Sequence, residues 1–347
     1  RLLQPAFHQR KIAAYADIFV RLGDPAIAGW AGVRDLHRDL AELTLRIVGE
    51  ALFGADVGGT TEAVDRALTL VMARYAGEHL GGLLPRWVPT APNRQIRRAI
   101  DRLDRVLLDL VADRRRRPPS ADDLLALLLR AQDDDGARMT DRQLRDECVT
   151  LFLAGHETTA LALTYAAYLL ACHPDEQERA AAEVRAVLGD RPPTLDDLPR
   201  LPAVDHIFKE ALRLYPPAWS IGREALAPVR AGPHLLPAGA QIAVFMPALH
   251  RDPRHFPEPD RFLPARWQGD RERALPRLAF MPFGAGPRIC IGNHFAMVEG
   301  ALLLASLLRR HRHDLAQGPR LDLQHSITLR PRRGVHLRLT PRPAPPP

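Results

Sequence analysis

Residues 140–172 constrain this chain more than any other stretch. Thr140 is a favoured helix N-cap, and no proline follows it until Pro174, so one helix is predicted from about Thr140 to Cys172. At about 1.5 Å per residue, such a helix is long enough to cross a whole domain. Its second half, Leu161 to Ala171, is apolar on every side, the pattern of a helix buried all round. A membrane span over 151–171 is the alternative. The central run His156-Glu157-Thr158-Thr159 speaks against it, because one carboxylate at mid-bilayer costs about 2.5–3.5 kcal/mol on insertion.

That polar run also carries chemistry. Gly155 in mid-helix costs about 1 kcal/mol relative to alanine, so it needs a reason. Threonines can bond back to carbonyls one turn earlier and bend the axis. Ala154-Gly155-His156-Glu157-Thr158 therefore reads as a bent segment offering a carboxyl and a hydroxyl, a place for water and proton transfer. A packing glycine with solvent-facing neighbours fits this segment taken alone equally well.

The second constellation is Phe283-Gly284-Ala285-Gly286-Pro287-Arg288-Ile289-Cys290-Ile291-Gly292. Two glycines let backbone approach something flat and bulky. A cysteine at the start of a helix has unpaired N–H groups and the dipole to favour a thiolate. Arg288 can hold an anion. A buried free cysteine in a glycine turn is the bland reading of the cysteine alone. The third is Glu210-Ala211-Leu212-Arg213, whose acid and base share one helix face and can pair.

Around these features the chain is helix-rich at the front, over about 9–21, 35–53, 62–78, 93–114 and 121–132. Residues 84–92 form a Pro-punctuated loop, and Asp133 to Gly136 a turn. Further helices fit 175–188, 203–214 and 291–311. Short strands and turns begin near 221 and run through 230–243, with two more strands near 326–329 and 335–339. Residues 252–287 are Pro-rich and irregular, which is unusual inside a domain unless they wrap a large prosthetic group. A Pro-rich tail, 341–347, ends the sequence.

Composition excludes several classes. Hydrophobic residues are 46% and charged residues 26%, the values of a soluble globular protein. The net charge of +7 could suit nucleic acid, but acidic residues interleave with the arginines throughout, and the dense run Arg114 to Arg117 reads as a solvated helix end. Only Lys11 and Lys209 are lysines, an Arg bias that looks like GC-rich genome composition. Cys148, Cys172 and Cys290 form no CxxC, so neither a disulfide framework nor a zinc site is indicated, and a reducing, cytoplasmic location is expected. No signal peptide or internal repeat is visible.

With these residues in hand, the chain resembles the cytochrome P-450 superfamily, in its bacterial type, over essentially its whole length. The signature Phe-x-x-Gly-x-Arg-x-Cys-x-Gly falls on Phe283, Gly286, Arg288, Cys290 and Gly292, and Phe295, Ala296 and Glu299 match its continuation into the L helix. The I-helix pattern (Ala/Gly)-Gly-x-(Glu/Asp)-Thr falls on Ala154, Gly155, Glu157 and Thr158. The K-helix Glu-x-x-Arg falls on Glu210 and Arg213, with Arg266 of Pro264-Ala265-Arg266-Trp267 as its third partner. The motif spellings look more like the fatty-acid-hydroxylase-like branch than the camphor-hydroxylase type.

The resemblance implies a mainly α fold with small β-sheets, helices C to L, a long central I helix and a Cys-ligand loop before the L helix. It implies a single domain over 1–347, without the family's N-terminal sheet and A and B helices. Arg1 to Phe7 looks like the end of the C helix, and 84–92 like the lid between the F and G helices.

The implied activity is a heme-dependent monooxygenase that activates O2 with two external electrons and hydroxylates a hydrophobic organic substrate. Its cofactor is heme b (Fe-protoporphyrin IX), with Cys290 as axial thiolate. Phe283, Gly284, Gly286, Gly292 and Ala296 then border the heme, and Arg288 and Arg223 meet its propionates. Thr158 holds water, Glu157 relays protons, and Ala154 and Gly155 shape the groove beside them. Glu210, Arg213 and Arg266 form a structural network. Phe152, Ala218, Trp219, Ser220, Ile221, Ile327 and Thr328 face substrate. The implied electron donor is a ferredoxin, flavodoxin or flavoprotein reductase docking near Arg288, Arg309 and Arg310, and no nucleic acid is involved. Two alternatives remain: a heme-thiolate peroxygenase or isomerase, disfavoured by Glu157 and Thr158, and a truncated, non-catalytic heme-binding protein.

Overall fold

A computed structural model describes residues 7–54, 70, 88–116, 124–130 and 139–343. The chain begins with α1 (Gln9–Ala28), β1 (Gly32–Asp35), α2 (Leu36–Phe53), α3 (Ala91–Arg116) and α4 (Leu124–Arg130). It continues with α5 (Asp141–Cys172), α6 (Pro174–Leu188) and α7 (Pro202–Leu214), then the strands β2 (Ser220–Glu224), β3 (Val229–Ala231), β4 (His234–Leu236) and β5 (Gln241–Phe245). The last long helix, α8 (Asn293–Arg310), leads into β6 (His311–Leu315), β7 (Leu323–His325), β8 (Leu329–Pro331) and β9 (His336–Pro341). The expected helix over 62–78 (residue 70 apart), the turn at Asp133–Gly136 and residues 84–87 of the 84–92 loop lie outside the described residues, and Ala91 and Pro92 already belong to α3.

The long helix starts where its cap predicts. The Gln143 N–H donates to Thr140 Oγ1 at 3.3 Å, and the Thr140 N–H donates to Gln143 Oε1 at 2.8 Å, a reciprocal capping box. Pro174 then opens α6 at its first position, where a missing N–H costs nothing. From Thr159 to Ala171 every residue of α5 is buried, because α2, α3, α7 and α8 pack around it. Among the described residues, no helix is long and apolar enough to cross a membrane.

The sheets are small and antiparallel. β1, β9 and β6 form a three-stranded sheet, and β2–β5, β3–β4 and β7–β8 are two-stranded ribbons. In the β2–β5 ribbon Ser220 faces Phe245 and Arg223 faces Ile242. The strand expected over 326–329 is instead mostly the turn between β7 and β8, closed by the Ser326 N–H donating to the Thr328 carbonyl at 3.1 Å. β1 and β6 escaped the sequence reading. β1 has only four residues, and its pairing with β9 joins Gly32 to Leu339 across nearly the whole chain.

α1 docks on α8 through aromatic edges. Tyr15 and Phe19 meet the Phe295 ring at 5.5 and 4.7 Å between centroids. One turn further along α8, Gly300 admits the Phe208 ring of α7, and a methyl added there would overlap that ring. Gly300→Ala is therefore expected to lower the free energy of unfolding by about 1–3 kcal/mol, read from urea melts. No change in the melting midpoint would mean that α7 and α8 do not pack this closely.

Two buried histidines make the fold acid-sensitive. Burial pushes His313 of β6 down to about 3 and His250 down to about 4, from an ordinary value of 6.5. Both stay neutral in the folded chain, and His250 Nε2 must, since it accepts the Met281 N–H at 3.0 Å. The unfolded chain protonates them below about 6.5, so their stabilisation is complete above that pH and is lost as pH falls toward the folded values. Acidification from pH 6.5 to 4.5 is expected to cost roughly 2–3 kcal/mol per histidine, measured as unfolding free energy against pH. A flat profile over that range would contradict these burials.

Candidate active site

One face of α5 opens onto a cavity. Leu151, Ala154, Gly155, Thr158, Thr159 and Ala162 line it, at spacings of three and four that put them in one stripe. Ala154 is exposed in the middle of a largely buried helix for this reason. The helix stays α-helical throughout Asp141–Cys172, so the expected bend does not break it. The Thr158 hydroxyl donates back to the Ala154 carbonyl at 2.6 Å, as expected for a mid-helix threonine. A Cβ on Gly155 would stand 3.0 Å from Val48 Cγ2, so this glycine also serves the close approach of α2.

The opposite wall is the Phe283–Gly292 loop with the start of α8. Phe283, Gly284, Cys290, Gly292, Phe295 and Ala296 line the cavity, while Gly286 does not. Gly284 and Gly286 both have left-handed φ, +74° and +73°, which suits glycine alone among common residues. The Cys290 N–H donates to the Phe283 carbonyl at 2.9 Å and closes the loop. Cys290 itself lies between a 3-10 turn, Gly286–Arg288, and the N-cap Gly292 of α8, rather than inside the helix.

The local electrostatics differ from the sequence expectation. Cys290 is exposed toward the cavity, yet the protein packed around its sulfur desolvates the thiol and pushes it up, and the Gly292 N–H offsets only part of that. The helix terminus alone therefore does not hold a thiolate here; a cation bonded to the sulfur would. Among the described residues no cluster of His, Cys, Asp and Glu forms a metal site. Cys290 offers the cavity a single sulfur donor, the donor that the resemblance to the cytochrome P-450 superfamily implies for a heme iron.

The cavity fits such a group. It lies between the α5 stripe and the Phe283–Gly292 loop, and its walls are mainly apolar, as a site for a flat, hydrophobic group requires. Arg288 is exposed in the loop, and Arg223 of β2, two residues beyond the cavity-lining Ile221, donates only to the Gly222 carbonyl at 2.8 Å. Neither has a carboxylate partner among the described residues, which leaves both guanidinia for an anionic substituent.

Glu157 falls off the lining stripe. Its carboxylate takes the Arg330 Nε at 2.5 Å and the Thr328 hydroxyl at 3.4 Å, with His37 Nε2 3.9 Å and His156 Nε2 4.0 Å away. Burial pushes the carboxyl up, but Arg330, His37 and His156 outweigh it and hold it below its ordinary value. Glu157 is thus an ionised, ion-paired group beside the cavity rather than on its wall.

Of the residues expected to face substrate, Ala218 and Ile221 line the cavity and five do not. Phe152 is buried against Phe53, stacked at 4.3 Å. Trp219 turns outward, its indole N–H donating to the Ser326 carbonyl at 2.9 Å and its ring meeting Phe245 and His325. Ser220 pairs with Phe245 in the ribbon, Thr328 is engaged with Glu157, and Ile327 is 46% exposed at the β7–β8 turn. The wall residues that sequence reading missed include Leu52, Thr159, Phe208 and Leu212. Helical spacing from Ala154 and Gly155 could have found Thr159, and the i, i+4 pair Phe208 and Leu212 shows the same signal. Nothing in the sequence points to Leu52.

The structure brings Glu210, Arg213 and Arg266 together. Arg213 grips both Glu210 oxygens at 2.9 Å, and Arg266 Nε reaches Oε1 at 2.9 Å. The two basic residues assigned to partner docking are engaged elsewhere. Arg309 and Arg310 both bind Asp24 of α1, and the Arg309 side chain is only 5% exposed. Of that patch only Arg288 presents an open charge.

The family model described as Cytochrome P450 matches residues 1–338. A cyclooctatin synthase of Streptomyces melanosporofaciens is 37% identical over 99% of this chain and 75% of its own length. A cyclooctat-9-en-7-ol 5-monooxygenase of the same organism is 36% identical over 90% of this chain and 69% of its own. The crystal structure of a cytochrome P450DA heme domain superposes with a TM-score of 0.89 at 29% identity, covering 99% of this chain and 76% of that one.

Proposed function

The chain belongs to the cytochrome P450 family and is a heme-dependent monooxygenase using O2 and a redox partner, and from that premise we propose that it oxidises a largely hydrocarbon cyclic molecule held between Cys290 and α5. The observation that carries this reading is the cavity itself, with one sulfur on one wall and two threonine hydroxyls on an otherwise apolar opposite wall. When bound, heme b supplies the activation of O2 that inserts one oxygen atom into an unactivated C–H bond. A similar chain is named for a substrate with an alkene and an alcohol, cyclooctat-9-en-7-ol, which agrees with such walls.

In this reading Cys290 would hold the heme iron through its sulfur, and Phe283, over the same wall, would limit water at that sulfur. Arg223 and Arg288 would pair with the heme's carboxylates. Ala218, Ile221, Phe208 and Leu212 exclude water and orient the substrate by shape, with no charge on their side chains. The Thr158 hydroxyl, turned from the Ala154 carbonyl, holds water at the cavity wall, and Glu157 reaches that water only when Arg330 releases it. The electron donor is an acidic ferredoxin, flavodoxin or flavoprotein reductase attracted to Arg288, and the protein works in the cytoplasm, where its three unbridged cysteines stay reduced. Raising ionic strength should then slow reduction steeply.

Thr158→Ala tests the oxygen-handling part. It is expected to leave substrate affinity unchanged and to raise peroxide released per NAD(P)H consumed several-fold, as lost water positioning uncouples electrons from product. Equal coupling in the two proteins would remove Thr158 from this role.

A further inference from the structure

Met281 opens the cysteine loop, and its N–H donates to a side chain from elsewhere in the fold, His250 Nε2, at 3.0 Å. Among the described residues, the other hydrogen bonds donated along 281–290 close within the loop. Gly284 donates to the Met281 carbonyl at 2.9 Å, Ile289 to Gly286 at 3.1 Å and Cys290 to Phe283 at 2.9 Å. His250 is fully buried, with its ring 5.2 Å from that of Phe280 between centroids. Its own backbone is fixed twice. Its N–H donates to the Met246 carbonyl at 2.8 Å, and its carbonyl accepts Arg213 Nη1 at 3.0 Å. Arg213 is the cation that grips Glu210, so the buried ion network reaches the cysteine loop through this imidazole.

We propose that His250 is a positioning residue that holds the Cys290 loop in place through the Met281 N–H. The inference rests on the monooxygenase reading above and deepens it, because Cys290 is there the sulfur donor. The bond itself sets the state of the ring. A peptide N–H can only donate, so Nε2 presents its lone pair and the ring proton sits on Nδ1. A second proton, on Nε2, would set two donors face to face and expel Met281. The turn from Met281 to Gly284 would then lose its anchor, and with it the Phe283 carbonyl that pins the Cys290 backbone. The charged groups that face His250 are Arg213 of α7 and the adjoining Arg251, both cations. With burial, the larger cause, they hold the imidazole down to about 4, against the pull of the Arg213 and Leu212 carbonyls. His250 is not on the cavity wall and acts through Met281 and Phe283.

The test compares three holoenzymes: the parent, His250→Gln and His250→Leu. Glutamine can offer Oε1 near the place of Nε2 and takes up no proton in this range, whereas leucine fills the space without an acceptor. At pH 7, amide hydrogen exchange across 281–290, taken relative to α5 in the same sample, should match in the parent and His250→Gln. It should run roughly fivefold faster in His250→Leu, the loss of one buried hydrogen bond. As pH falls from 7 toward about 4, the parent's reduced-CO Soret band should lose its red shift before its helical circular dichroism falls. His250→Gln should keep the shift over that range. Loss of the shift at the same pH in both proteins would overturn the inference, as would unchanged loop exchange in His250→Leu. Should His250→Leu fail to fold, the acid titration of the parent against His250→Gln decides alone. A parent without the red-shifted band at pH 7 would instead overturn the monooxygenase reading, and so the two failures are distinct.

Discussion

Replacing Cys290 with serine is expected to reduce turnover by about a thousandfold or more, equivalent to about 4 kcal/mol of barrier. The reason is local. Among the described residues Cys290 is the only sulfur on the cavity wall, and its backbone is pinned by the N–H to Phe283 carbonyl bond at 2.9 Å. Its placement thus owes nothing to its own side chain. Serine fits the same backbone, keeps the loop closed and leaves the apolar walls intact, but a hydroxyl is a poor donor of electron density to iron. Unfolding free energy should therefore change by less than about 1 kcal/mol, since the Gly292 N–H that meets the sulfur can equally meet a serine hydroxyl. Turnover within tenfold of the parent would show that the iron is held elsewhere.

Glu210→Ala is expected to have the largest effect on stability, about 3–5 kcal/mol. The two Glu210 oxygens take five donors: Arg213 Nε and Nη2, Arg266 Nε, the Leu263 N–H and Trp267 Nε1, all at 2.9 Å. Arg213, itself fully buried, also ties down the irregular segment by donating to the carbonyls of His250, Pro259 and Arg261. Removing the carboxylate leaves two guanidinia and an indole N–H without their acceptor in a buried site. Because folded domains hold only about 5–15 kcal/mol in reserve, much of the margin goes with one side chain. Urea melts with heme retention followed in parallel measure this. A loss below about 1 kcal/mol would mean that water replaces the carboxylate and the network is less closed than its geometry.

Local rules made the long helix legible. Thr140 caps α5, Pro174 ends it and opens α6, and the apolar run from Leu161 marks its burial, all features encoded within a few residues. The cysteine loop was equally readable, since left-handed glycines at 284 and 286 and a bordering Phe283 are written in ten consecutive positions. What remained hidden depends on distant pairing. β1 and β6 are short, and each finds its partner β9 only after the chain has folded back. The direction of the Trp219 side chain followed the Ser326 carbonyl, more than a hundred residues later. Glu157 and Thr158 looked like one acid and alcohol pair, but neighbouring residues on a helix point about 100° apart. Arg330 then claimed the acid. Arg309 and Arg310 read as surface charge because nothing local announces Asp24.

The central claim is that the Cys290 sulfur bonds heme iron in the cavity faced by Thr158 and Thr159. The reduced-CO difference spectrum of the purified protein measures that bond directly. A Soret band shifted far to the red, lost in Cys290→Ser, is the result this account predicts. A band at the position of nitrogen-ligated heme, or no bound heme at all, would contradict it.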